Sequence, residues 1–279
     1  MSALGVLGCS EGQGAQQAPQ RTGPHLRVVS LTPATSTIIE MLGAHQNLVG
    51  VTRYCNVVDV PIVGDMHPDP TLVLARTPDL VVVGGYPSQV PTREALGALG
   101  ANVLALDLVT LGDMRRAVTT LGARLDRESA AATLVKSVDD ALVDARTRAK
   151  KRGPLRILWV YAVDRGTVIT SGGGDHLSEV LDAVGAVNVA QGGPLTARLP
   201  LETVIAKGPD VIVHAAPNAA FPDDAAAQAF WSHLGDIPAV HGGHVFVWPD
   251  DNFAQNSPRI AAAITALSDR LDAVRQARP

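Results

Sequence analysis

Between Leu125 and Arg152 the chain contains neither glycine nor proline. Its apolar residues Ala131, Leu134, Val138, Ala141, Leu142, Ala145 and Ala149 recur at spacings of three and four, one stripe along a helix. Asp126 is placed to cap the start, and Glu128 suits the positive end of the helix dipole. Lys150, Lys151 and Arg152 suit the negative end, and Gly153-Pro154 stops the helix. Such a helix is a rod about 40 Å long, as long as a small domain is wide. A rod of that length, buried along one stripe only, needs packed structure beside it.

On either side of the rod the pattern alternates between strand and helix. Before it, Arg27–Leu31, Leu48–Val51, Leu80–Val83 and Val103–Leu106 read as short buried strands. Between and after them, Pro33–Leu42, Thr92–Leu99 and Leu111–Leu121 read as helices. After it, Leu155–Val160, Val168–Ser171, Val211–Val213 and Val245–Val247 read as strands, and Leu177–Val184 as a helix. A last helix is expected from Ser257 as N-cap, with Pro258 in its first turn. Continuous apolar strands separated by helices predict parallel sheets covered on both faces. The halves also share a phrase: Leu74-Ala75-Arg76-Thr77-Pro78-Asp79-Leu80-Val81-Val82 parallels Ile205-Ala206-Lys207-Gly208-Pro209-Asp210-Val211-Ile212-Val213. A looser parallel joins Glu40–Ala44 to Glu179–Ala186. Two Rossmann-like α/β lobes joined by one long helix follow, with a ligand cleft where the strand ends face each other. The division expected is a tether over 1–24, a first lobe over 25–124, the helix over 125–152 and a second lobe over 153–279.

A net charge of −4 disfavours nucleic acid as a partner. No apolar run approaches the ~20 residues of a membrane span. The two cysteines, Cys9 and Cys55, exclude a disulfide framework and a four-thiolate zinc site. Val6-Leu7-Gly8-Cys9 looks like a bacterial lipobox, whose thiol takes the lipid, and the Gln-, Gly- and Ala-rich residues 10–24 suit a flexible tether. Eight residues precede Cys9 and none is basic, so a full signal peptide would require an upstream start.

The phrases Arg27–Pro33, Leu48–Asn56, Val63-Gly64 and Ala75–Val83 resemble the binding proteins of bacterial ABC importers for cobalamin, haem and iron-siderophores. So do Thr170–Gly174 through Val187–Val189, Leu201-Glu202 through Asp210, and Ser257–Ile260. Together they cover nearly everything from Leu26 onward. Tyr54-Cys55-Asn56 is most similar to the cobalamin branch, where a Tyr-Cys-Asp triplet commonly occupies this loop. The resemblance implies a non-enzymatic receptor in the cell envelope, acting as a monomer and lipid-anchored through Cys9. It would capture a corrinoid such as cobalamin, or else haem or a ferric siderophore. It would deliver that ligand to a permease dimer with its ATPase subunits. Tyr54 is then the foremost ligand-facing candidate, and Met66, His67, Tyr86, Tyr161, Asn252 and Phe253 are expected to border the cleft with it. Where close cobalamin-binding relatives place tryptophans, this chain has Asp65, Gly84, Thr196 and Asn252. Family members also dock through one glutamate per lobe. Here Glu202 fills that place in the second lobe and Thr71 stands in the first, with Asp69 two residues earlier.

Other chemistries are poorly supported by the residues. His67 is a candidate axial ligand for haem iron or corrinoid cobalt, but no partner is fixed by spacing, which favours an exposed loop histidine. His241-Gly242-Gly243-His244 reads as a turn rather than a metal pair, and no resident metal site is expected. Gly172-Gly173-Gly174 lacks both the phosphate-loop ending and the dinucleotide spacing. No nucleophile–base set or paired-carboxylate site stands out, and Glu40 and Glu179 are expected on solvated helix faces. A two-lobe enzyme such as a glycosyltransferase would need a nucleotide-binding loop. A cytosolic corrinoid or metal sensor would need no lipid on Cys9.

Overall fold

A computed structural model of the chain describes residues 25–216 and 220–277; Cys9 lies outside them. The first lobe runs β1 (Val28–Ser30), α1 (Pro33–Met41), β2 (Leu48–Thr52), β3 (Ile62–Gly64), α2 (Pro70–Leu74), β4 (Leu80–Gly84), α3 (Val90–Ala98), β5 (Val103–Leu106) and α4 (Leu111–Arg124). Its five strands form a parallel sheet of order β3-β2-β1-β4-β5. The central strands are buried on both faces, which is why they read as unbroken Val and Leu.

Helix α5 (Glu128–Ala149) then crosses to the second lobe. It is shorter at both ends than its pattern suggests. Asp126 does not cap it but adopts a left-handed conformation, φ 54°, and Arg127 takes the N-cap place. The Arg127 amide donates to Gly122 O, folding α4 tightly onto α5. Ala131, Val138, Leu142 and Ala145 of the expected stripe are buried.

The second lobe runs β6 (Leu155–Asp164), β7 (Thr167–Ser171), α6 (His176–Ala183), β8 (Ala186–Asn188), β9 (Thr196–Pro200), α7 (Leu201–Lys207), β10 (Val211–His214), α8 (Asp224–Ser232), α9 (Pro238–His241), β11 (Val245–Val247) and α10 (Ile260–Ala277). Its six-stranded sheet has the order β11-β10-β6-β7-β9, with β8 paired beside β6. This sheet is mixed, not all parallel. Arg165 and Gly166, at φ 45° and 78°, make a two-residue turn that returns β7 antiparallel to β6, and β9 pairs antiparallel with β7. Positive φ at both turn residues matches the right-handed twist of a hairpin. Ser257 does not cap α10 through its side chain: its hydroxyl is buried without a hydrogen-bond partner, and the helix begins at Ile260.

The shared phrase has one structural meaning in both lobes. Asp79 Oδ2 accepts from the Arg27 amide at 2.9 Å while the Asp79 amide donates to Arg27 O at 2.8 Å. Asp210 Oδ2 accepts from the Arg156 amide at 2.7 Å, and its own amide donates to Arg156 O at 2.7 Å. Each Pro-Asp thus clamps the start of β4 or β10 to the start of its parallel neighbour, β1 or β6. The residue before each proline is left-handed, Thr77 at φ 46° and Gly208 at φ 54°.

The largest buried apolar cluster does not stop at the lobe boundary. It runs from Val28, Ile38 and Leu80 through Met114, Leu121, Val138 and Leu142 to Leu155, Trp159, Leu181, Ile264 and Leu271. Arg148 on α5 reaches Asp269 and Asp272 on α10 at 2.6 and 2.7 Å, and Arg152 and Arg275 also hold Asp272. Burial pushes the Asp272 carboxyl up, but the hydrogen bonds and charge of these guanidiniums outweigh it and hold the group below the usual carboxylate range. Among the described residues no helix is long and apolar enough to cross a membrane.

Candidate functional site

The carboxyl ends of both sheets open onto one cleft of about 450 Å³. From the first lobe it takes Leu31, Thr32 and Pro33 after β1, Thr52 and Tyr54 at β2, and Met66 after β3. Tyr86, Ser88 and Gln89 follow β4, and Leu108 and Val109 follow β5. The second lobe contributes Tyr161 on β6, Asp175 and His176 at the start of α6, Leu195 and Thr196 at β9, and Ala254, Gln255 and Asn256 before α10. This is where an open α/β sheet presents its loops to a ligand.

All three tyrosines of the chain line this cleft. Tyr54 is 52% exposed, a flat apolar ring presented to the opening. Tyr86 folds back over Gly84, where a Cβ would come within 2.6 Å of its ring. Burial, with the charges of Asp107 and Asp113, raises the Tyr86 phenol. Burial and the Asp175 carboxylate raise Tyr161 further. Both are therefore neutral hydroxyl groups at ordinary pH. Arg53 pairs with Asp65, joining the loops that carry Tyr54 and Met66. Beneath them lies a chain of buried hydroxyls. Ser36 Oγ lies within hydrogen-bond distance of Ser30 Oγ at 2.9 Å and the Cys55 thiol at 3.1 Å, and Thr35 meets both Ser30 and Thr32. Every polar group in this floor has a partner, which fixes the loops above it.

Three expected residues lie elsewhere. His67 is exposed and is not part of the cleft lining. Asn252 lines a separate cavity of about 290 Å³ between β11 and α10, beside Trp248 and Arg270. Phe253 is 1% exposed, packed edge-on against Trp159 at 4.8 Å and Trp248 at 4.9 Å. Its contribution is its carbonyl, which accepts from His176 Nε2 at 2.9 Å. The chain's few aromatics thus divide cleanly: tryptophan and Phe253 build the core, tyrosine the cleft.

Several cleft residues were not legible in the sequence. Gln89 ends a short 3-10 turn after β4 with no motif around it, and Asn256 stands just before the Ser257–Ile260 phrase, outside the residues that the phrase marks. Asn256 Nδ2 donates to Leu108 O at 3.0 Å and Thr110 O at 2.7 Å, tying the lobes. Glu179 is not on a solvated face: its Oε1 accepts from the Leu111 amide across the lobe boundary at 3.1 Å. Glu40 pairs with His45. The His176 amide donates to Val109 O, a further tie. Asp175, the carboxylate in the lining, caps α6 and accepts from Ser171 and Ser178. Among the described residues there is no cluster of three or more metal-ligating side chains. Glu202 and Thr71 are exposed in the first turns of α7 and α2, outside the cleft; Asp69 is spent capping α2, accepting from the Thr71 amide and hydroxyl.

Two α/β lobes, one connecting helix and a cleft to which both lobes contribute tyrosines, hydroxyls and carboxamides are the architecture of a two-lobed binding protein. Residues 28–252 match the family described as periplasmic binding protein, and the chain belongs to that family. Its members are extracytoplasmic, non-enzymatic components of ABC importers that deliver a small ligand to the permease. The chain is 24% identical over 256 residues to an ABC transporter substrate-binding lipoprotein, YvrC, of Bacillus subtilis, covering 88% of this chain and 79% of that one. It is 28% identical over 260 residues to a vitamin B12-binding protein of Salmonella typhi, covering 89% and 91%. In fold it is similar to the periplasmic haem-binding protein HutB of Vibrio cholerae, with a TM-score of 0.76, 19% identity and coverage of 88% and 99%.

Proposed function

We propose that this receptor captures cobalamin or another corrinoid in the interlobe cleft and hands it to its permease. The observation that carries this reading is the chemistry of the cleft lining: three tyrosines, Met66, hydroxyls and carboxamides, with Asp175 and His176 as its ionisable members beside the tyrosines and no lysine or arginine among the described residues that form it. A corrin is a large, partly apolar disc fringed with amides. It asks for flat apolar walls and neutral hydrogen-bonding groups. Ionised propionates or an anionic siderophore would meet no lysine or arginine among the described lining residues, only the Asp175 carboxylate and the His176 ring, whose Nε2 is already bonded to Phe253 O. Similarity to a vitamin B12-binding protein supports the same reading.

Haem is the second reading, favoured by the Met66 thioether and the tyrosine oxygens, groups able to ligate iron. The raised phenols of Tyr86 and Tyr161 work against ligation as phenolates. The deciding experiment is titration of the purified protein with cyanocobalamin, haemin and ferric siderophores, followed by the visible spectrum after gel filtration. Co-elution of the corrin bands is expected. Retention of the haem Soret band with no corrin bound would overturn the assignment. We further infer a lipid anchor on Cys9, tested by intact mass of the native protein, and docking to the permease through Glu202 and the Thr71 face.

A further inference from the structure

Two cleft residues carry a cost that nothing in the protein repays. Gln89 and Asn256 each line the cleft, and each is only 3% exposed. In both, the side-chain oxygen is buried with no hydrogen-bond donor. The amide orientations are fixed. Gln89 Nε2 donates to Met66 O at 3.0 Å, and Asn256 Nδ2 donates to Leu108 O and Thr110 O. Carbonyls only accept, so rotating either amide would set oxygen against oxygen. Among the cleft-lining residues one orphan carboxamide acceptor therefore sits in each lobe, Gln89 in the turn after β4 and Asn256 in the loop before α10; the other two, Asn47 and Gln228, lie away from the cleft. Leaving such a group unpaired is costly, and satisfying it gains a bond whose protein-side desolvation has already occurred.

We propose that Gln89 and Asn256 are specificity-determining residues that accept N–H bonds from primary carboxamides on the ligand's edge. The inference rests on the corrinoid reading and narrows it to amide-fringed corrinoids. A carboxamide donates; an ionised carboxylate only accepts, and against these oxygens it is repelled. Access requires small shifts of groups already at the surface of the cleft. Met66, whose carbonyl holds Gln89, is itself exposed there, and Asn256 Oδ1 is reached by a shift of the loop before α10, with the amide's bonds to Leu108 O and Thr110 O kept. One acceptor comes from each lobe, and both discriminate amide from acid where a cation would favour acid.

The test is calorimetric titration with cyanocobalamin and with its mono-acid derivatives, each having one peripheral amide hydrolysed. Wild type, Gln89→Met and Asn256→Leu are compared, with thermal melts to show that each variant is folded. Wild type is expected to bind at least one mono-acid about five- to tenfold more weakly than cyanocobalamin, the scale of one hydrogen bond. Gln89→Met is expected to lose a similar factor for cyanocobalamin and to bind that mono-acid no worse than wild type does. Asn256→Leu should behave likewise toward a different amide position. Because Asn256→Leu also cuts the interlobe tie, the decisive arms are Gln89→Met and the ligand series on wild type, which needs no substitution. Equal affinity of wild type for all the mono-acids, or equal losses for amide and acid in Gln89→Met, overturns the proposal while leaving the corrinoid reading intact. Binding of haemin with no binding of cyanocobalamin overturns both.

Discussion

His214 ends β10 with its ring buried against Phe221, and its Nε2 accepts from Trp231 Nε1 at 2.9 Å. That bond requires the neutral ring with its proton on Nδ1, and burial pushes the imidazole down to about 4. A free histidine titrates near 6.5, so between those values the unfolded chain binds a proton that the fold refuses. The contribution to stability is full above about pH 6.5 and is lost as pH falls toward 4, amounting to about 2 kcal/mol by pH 5. Urea unfolding at pH 7.5 and 5 should show this loss in wild type. In His214→Gln, which keeps an acceptor for Trp231 but does not titrate, the step should be absent; an unchanged step would assign it to other groups. Tyr54 acts on binding instead. Its half-exposed ring has apolar area to cover with ligand, and Tyr54→Ala should weaken cyanocobalamin binding by about 1–3 kcal/mol with no change in melting temperature. Calorimetry checks it, and unchanged affinity would move the ligand away from this loop. Residues like Tyr54, Tyr86 and Tyr161 are legible in sequence because each falls at or just beyond a buried strand that can be read directly. Phe253 and Asn252 follow a strand equally well and still miss the cleft. Which way a loop turns its side chains is decided by packing, here the Trp159–Trp248–Phe253 cluster, which no local pattern records.

At the scale of elements, the first lobe follows its pattern at β1, β2, β4 and β5, each an apolar run long enough to read, and departs at the short edge strand β3, where only Val63 is buried. The second departs at β7 and β9. Asp164-Arg165-Gly166-Thr167 lacks the Asn-Gly or Asp-Gly pair that advertises a two-residue hairpin, so a turn with two left-handed residues is invisible until seen. Helices α8 and α9 are likewise short and rich in alanine or interrupted by turns, giving no periodicity to read. The α4–α5 corner is the most demanding contact between elements. A Cβ on Gly122 would lie 2.5 Å from Ala131 Cβ and 3.3 Å from Arg127 O, so glycine here is what permits the approach. Gly122→Ala gains helix propensity but must push the two helices apart, with a net loss of about 1–2 kcal/mol. Adding Ala131→Gly removes the colliding methyl, so the double variant should be more stable than the sum of the two single changes predicts. Denaturant midpoints of the four proteins measure this, and strict additivity would show that the corner has slack.

At the scale of the whole molecule, the Pro-Asp clamps give the two lobes one plan, and α7 and α2 stand at equivalent places in it. Glu202 on α7 is exposed and free of the cleft, whereas Thr71 on α2 offers no charge. Glu202→Ala should therefore impair uptake in cells while cobalamin affinity stays constant, by a modest factor, since one exposed pair is worth only ~0–1 kcal/mol. Normal uptake would remove Glu202 from the docking face. The lobes themselves are bound by more than the helix between them. Their largest apolar core is continuous across the boundary. Among the described residues, hydrogen bonds also cross the seam from Thr37 to Gln255, His176 to Val109, Leu111 to Glu179, and Asn256 to both Leu108 and Thr110. Opening the lobes as a hinge would expose that core and break buried pairs, each costly to leave unmade. A helix without glycine or proline offers no flexible point about which to bend. Closure on ligand must then come from side chains and loops at the rim, such as those of Tyr54 and Met66. Small-angle scattering with and without cyanocobalamin should give nearly the same radius of gyration. Marked compaction would mean that the shared core parts in solution and that the seam, not the rim, is the moving element.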